Sequence, residues 1–199
     1  MLRPLLALAL LLSASACTTT ETVVSRTELP LQTNEAFAAM VVVGEPGFAL
    51  APGATWRLRE ETSGVEVQAK QLLQPQVEEA ISQALAGVGL AAASNGEQAA
   101  IEVAYALSSE QFASDELLRK RYGLTPGVMK PDERWAKGTL VLVLVDPATH
   151  RPVWRAATQG LLHEGADAAL VREQIRQTTA RMARAIPIHA DAVREQSAE

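Results

Sequence analysis

The chain has 199 residues, 48% of them hydrophobic but only 4% aromatic, and a formal net charge of −5. That describes one domain with an aliphatic core, and the acidic balance gives no reason to expect nucleic acid or another polyanion as a partner. A single cysteine excludes an internal disulfide and any multi-cysteine metal site.

Met1–Ala16 opens with Arg3, continues through the apolar block Leu5–Leu12 and closes on Ser13-Ala14-Ser15-Ala16. This order of regions is that of a secretory signal peptide, and the apolar block is too short to span a bilayer. Cys17 follows directly, and Ala-Ser-Ala-Cys resembles a bacterial lipobox in which Ala14 stands where leucine is more usual. We expect cleavage before Cys17 and acylation of its thiol and amine, palmitate included, because an unpaired cysteine in an exported chain otherwise lacks a role. The alternative is ordinary cleavage that leaves a free thiol. Several acyl chains attach a protein to a membrane without a transmembrane helix. Thr18 in place of aspartate implies sorting to the outer membrane, facing the periplasm.

Residues 17–35 carry the lipidated cysteine and then a threonine-rich, aperiodic stretch with Pro30, which reads as a flexible tether. A single domain is expected over 36–188. Its first strand is Ala36–Val43, followed by the turn Gly44-Glu45-Pro46-Gly47, and a second extended run spans Thr55–Glu61. The glycine- and proline-containing segment between them lacks the spacing of a phosphate cradle.

Pro75 suits a first helical position, and Val77, Ile81, Leu85 and Val88 then share one face at helical spacing. Glu78 and Glu79 would stand near the positive end of that helix, with Gly87 and Gly89 as its stop. Gly87-Val88-Gly89 follows a helix instead of opening one, which rejects a dinucleotide fingerprint. Leu90–Ala93 reads as a short strand. Ile101, Val103, Tyr105 and Leu107 then alternate with polar or small residues as a half-buried strand. Ser109–Lys137 is an irregular excursion: Asp115–Tyr122 supports a short helix, and Gly123, Pro126, Gly127 and Pro131 prevent a longer one. Trp135 is embedded in it. Long connections of this kind often carry function.

Gly138–Gly160 organises the rest of the chain. Leu140–Val145 is an unbroken aliphatic run, half of it β-branched, ending at Asp146-Pro147, and Val153–Thr158 returns beside it as a β-hairpin. Both faces of Leu140–Val145 are apolar, so the strand should be central and covered twice. Gly-Thr-Leu, the alternating aliphatics, Asp, a short turn and Val-Trp-Arg resemble the closing hairpin of the bacterial lipoproteins grouped as domain of unknown function 4136. The likeness runs from about Gln71 to Ile188 and departs from the family pattern before that, where the usual aromatic-rich first strand has no match. That family has no established activity, so the resemblance implies a fold and a location only.

After the hairpin, Asp167 is expected to cap a helix reaching Ala185, with Val171, Ile175, Thr178, Met182 and Ile186 buried and Pro187 ending it. Residues 189–199 read as a mobile tail.

No chemistry-bearing constellation emerges. His150, His163 and His189 fall in a turn, a loop and the tail, and none has a second ligand at metal spacing. Glu60-Glu61, Glu78-Glu79 and Asp132-Glu133 are adjacent pairs whose side chains point apart. No catalytic residue, metal site or cofactor is therefore expected. Arg172, Arg176, Arg181 and Arg184 suggest an anionic surface, although arginines on a helix's solvent face are routine. Trp154 is expected to fill the core, with a groove-lining role as the alternative.

The order of elements gives an α+β domain: two helices packed on one face of a largely antiparallel sheet, with a closing β-hairpin followed by a C-terminal helix. The second face of Leu140–Val145 must then meet either the excursion or a partner protein of the envelope. In the latter case Trp135, Val141, Val143, Val145 and Trp154 are the interaction surface. The expected function is a lipid-anchored binding or scaffold module of the outer membrane. The alternatives are a hydrolase with a site across residues 109–137 and a carrier of a small apolar ligand.

Overall fold

The computed structural model describes residues 38–59, 67–109, 115–130, 132–163 and 165–189. The signal peptide, Cys17, the tether, Glu60, Glu61 and residues 190–199 lie outside the described residues. The elements run β1 (Ala38–Gly44), β2 (Thr55–Leu58), α1 (Val67–Gly87), β3 (Ala91–Ala92), β4 (Ile101–Ser109), α2 (Asp115–Tyr122), β5 (Trp135–Val145), β6 (Pro152–His163) and α3 (Ala168–Arg184). The strands form one sheet in the order β1-β6-β5-β4-β2-β3.

The α+β class holds, but the sheet is mixed. The run β1-β6-β5-β4 is antiparallel throughout, whereas β2 is parallel to both of its neighbours, β4 and β3. The cause is α1: a helix between two neighbouring strands carries the chain back to the starting end, so the strands it joins run the same way.

Helix α1 also begins earlier than Pro75, which sits inside it. Proline lacks the N–H that would bond the Gln71 carbonyl, but its side is exposed and only that bond is forfeited. What holds the helix is its apolar stripe: Val77, Ile81 and Leu85 are fully buried. In α3, Asp167 caps as expected, its carboxylate accepting from the Leu170 N–H at 2.7 Å. The buried stripe there is Ile175, Thr179, Met182 and Ala183, with Thr179 replacing the expected Thr178. The Thr179 hydroxyl donates to the Ile175 carbonyl at 2.7 Å, which makes its burial affordable in hydrogen-bond terms.

Leu140, Leu142 and Leu144 join Trp154, Ile81, Met182 and Ile175 in one core beneath α1 and α3. The other face has a smaller core, where Leu118 of α2 and Leu124 meet Val141, Ala106 and Ala157, with Tyr122 and Val143 packed alongside. The short helix α2 of the excursion thus packs on the second face, the first of the two covers expected for it, and makes a third helix beside the two expected on the other face. The chain's own excursion supplies cover on the second face, where Val141 is buried and Val143 half-buried.

Pairing continues beyond the expected domain end. Leu50 bridges Ile188, and the His189 N–H donates to the Leu50 carbonyl at 3.0 Å, so His189 belongs to the paired structure.

Candidate functional site

The five residues of the expected interaction surface do not come together. Trp154 lies in the helix-side core and Val141 and Val143 in the opposite one. Val145 is buried at the end of β5, beside a register shift after Leu144. Trp135 belongs to β5 rather than to the excursion, paired with His163 of β6. His163 is thus a strand residue, not a loop one. His150 stands in the hairpin turn with a φ of 56°, where Asp146 accepts from the Ala148 N–H and the Thr149 hydroxyl, each at 2.8 Å. Those bonds hold the Asp146 carboxyl below its ordinary range. In the described part of the excursion, Leu118, Leu124 and Val128 turn inward. Gln159, fully buried on β6, accepts from the Val128 N–H at 3.0 Å and ties that segment to the sheet.

The α3 arginines spread over different environments. Arg176 pairs with Glu173 on the same helix, with Nε at 2.8 Å from the carboxylate, and Arg184 lines a shallow groove against α1. No group of three or more metal-ligating side chains occurs among the described residues.

The open space lies elsewhere, at the end of the sheet beneath the first turns of α3. Its origin is a pair of residues without side chains. Gly138 on β5 and Gly160 on β6 stand directly opposite each other, flanked inward by the Leu140–Thr158 pair and outward by the Ala136–Leu162 pair. A Cβ built on either glycine meets nothing within 4 Å. Glycine inside a strand weakens it and often marks close approach by something else. Here the pair leaves a cavity of about 220 Å³. Val171, Gln174, Ile175 and Thr178 of α3 roof it, and Leu73 of α1 closes one side.

Thr158 contributes to the wall of this cavity at its inner end. Its side chain is buried, and its hydroxyl has no hydrogen-bond partner among the described residues. Leaving a buried hydroxyl unpaired costs about 1–3 kcal/mol, so the fold carries a polar group there that packing does not explain. Sequence reasoning passed over this site: Gly138 and Gly160 delimit the organising stretch there, with no role of their own assigned. The signal was present in their separation, since a hairpin pairing Leu144 with Trp154 brings residue 138 opposite residue 160.

No helix among the described residues is long and apolar enough to cross a membrane. The family model for the domain of unknown function (DUF4136) matches residues 46–187, and the chain belongs to that family. The match begins at residue 46, well before Gln71 but after β1. No curated protein matches significantly. Among solved structures, the chain is similar to the PelC dodecamer from Paraburkholderia phytofirmans, at 12% identity and a TM-score of 0.45, over 72% of this chain and 96% of that one. It is also similar to a DUF4136 family protein from Bacteroides thetaiotaomicron, again at 12% identity and a TM-score of 0.45, over 73% of this chain and 95% of that one.

Proposed function

We propose that this member of the DUF4136 family is a lipid-anchored binding module of the bacterial outer membrane, facing the periplasm, that takes a small apolar ligand into the cavity beneath α3. The supporting observation is the cavity itself: strands and helices that pack tightly elsewhere part around the Gly138–Gly160 pair and leave apolar walls. Ligand pockets are characteristically concave and mostly apolar with few polar groups. The location rests on the signal-peptide pattern of Met1–Ala16 and on Cys17 as the acylated first residue of the mature chain.

Fractionating envelopes that express wild-type protein or Cys17→Ser tests the anchor. Wild-type protein should sediment with outer membranes and carry acyl mass, and Cys17→Ser should appear in the soluble periplasm or fail to mature. A soluble wild type with a free thiol would refute lipidation. Native mass spectrometry of the soluble Cys17→Ser chain tests the binding role: a small molecule that leaves on denaturation is the expected result.

A further inference from the structure

We propose that the cavity beneath α3 selects a neutral, mainly aliphatic molecule of about eight to ten carbons bearing one hydrogen-bonding oxygen, such as an alcohol or ketone, which enters oxygen first and bonds to Thr158. This rests on the binding role proposed above and names its ligand. An apolar cavity of about 150 Å³ holds benzene, so one of about 220 Å³ suits a somewhat larger body of this size.

The orientation follows from the order of residues along the strands. Moving inward on the helix-facing side, Ala136 and Leu162 come first, Gly138 and Gly160 next, and Leu140 and Thr158 last. Ala136 is exposed and Leu162 half-buried, whereas Leu140 and Thr158 are both buried. The unpartnered hydroxyl is therefore at the closed end. The hydroxyl is shielded at the wall, and a rotation of Thr158 by about 120° around χ1 carries it to another of the three staggered positions on Cβ, one of which the cavity-lining methyl can yield. A ligand oxygen at the inner end supplies the bond that the protein does not.

Charge decides the ligand class. A carboxylate placed at the inner end would lose its hydration, and apart from Lys137 the polar side chains of the lining (Ser108, Thr139, Thr158, Gln174 and Thr178) carry no charge. Burial of an ion with so little compensation is strongly unfavourable. Lys137 at the outer end is already engaged within the protein. A neutral oxygen needs only the one hydrogen bond that Thr158 can make.

Titration calorimetry on the soluble Cys17→Ser chain, in detergent-free buffer, tests this with 1-octanol and octanoate as probes. We expect 1-octanol to saturate at one site, and octanoate to bind at least tenfold more weakly. Thr158→Val keeps the shape and removes the hydroxyl, and it should weaken 1-octanol about fivefold. Gly160→Leu, and independently Gly138→Leu from the facing strand, should abolish binding, with circular dichroism confirming the fold of each. Octanoate binding as tightly as 1-octanol would overturn the ligand class while leaving the cavity as the binding site. Unchanged affinity in Thr158→Val would overturn the polar anchor. Unchanged affinity in both cavity-filling variants, or no binding of either probe to the parent chain, would overturn the proposed binding site itself.

Discussion

The Tyr105 phenol on β4 donates to the Glu78 carboxylate on α1 at 2.9 Å, joining helix to sheet inside the larger core. Glu78 also accepts from Gln74 Nε2, one turn earlier on α1, at 2.8 Å. Because α1 starts at Val67, Glu78 lies in mid-helix, and its role is this bond rather than a favourable charge at the helix end.

Burial and the neighbouring carboxylate raise the Tyr105 pKa above its ordinary value of 10.0. A group whose folded-state pKa is raised stabilises the fold fully below its unfolded value, and that contribution fades as pH rises through the folded one. Wild-type stability should therefore begin to fall above about pH 10. Tyr105→Phe should lose about 1.5–3 kcal/mol at pH 7, a charge-assisted bond's share, and show a flatter alkaline flank. Urea melts of both proteins across pH 7–11 check both points; parallel alkaline flanks would contradict the first.

Val141 is buried against Leu118 and Leu124. Val141→Asp should destabilise the isolated domain by more than about 3 kcal/mol, since a carboxylate would be buried without a partner. A urea melt and size-exclusion chromatography read the outcome. A folded, monomeric Val141→Asp protein would mean that α2 does not hold this face closed in solution.

Gln159 anchors the segment after α2 through the Val128 N–H. Gln159→Leu removes that acceptor and leaves a buried donor unpaired, at about 1–3 kcal/mol. The loss should concentrate locally. Hydrogen exchange should quicken over residues 124–130 while the amides of β5 change little.

Asp167→Ala should cost about 1 kcal/mol through loss of the cap on Leu170. Because the first turns of α3 roof the cavity, the same substitution should also weaken ligand binding, whereas His150→Gly in the distant turn should leave it unchanged. Replacing His150, whose φ is 56°, relieves a left-handed backbone and should raise the melting temperature slightly. Thermal melts and titrations of the two variants separate these effects.

Local chemistry was enough for much of the architecture. The doubly apolar run Leu140–Val145, the Asp146-Pro147 turn, the Val77–Ile81–Leu85 stripe and the Asp167 cap are each specified by residues within a few positions of one another. The short helix Asp115–Tyr122 was legible for the same reason. Three matters depended on distant residues meeting. The parallel placement of β2 depends on which strands α1 joins. The burial of Val141 depends on Leu118 and Leu124 folding back across the sheet. The cavity depends on two glycines 22 positions apart being brought opposite each other by strand register, beneath a helix that begins only later in the chain. Periodicity assigns a side chain to a face but does not say what stands above it. The space over Gly138 and Gly160, and the unpaired Thr158 hydroxyl beside it, were therefore settled by tertiary packing alone.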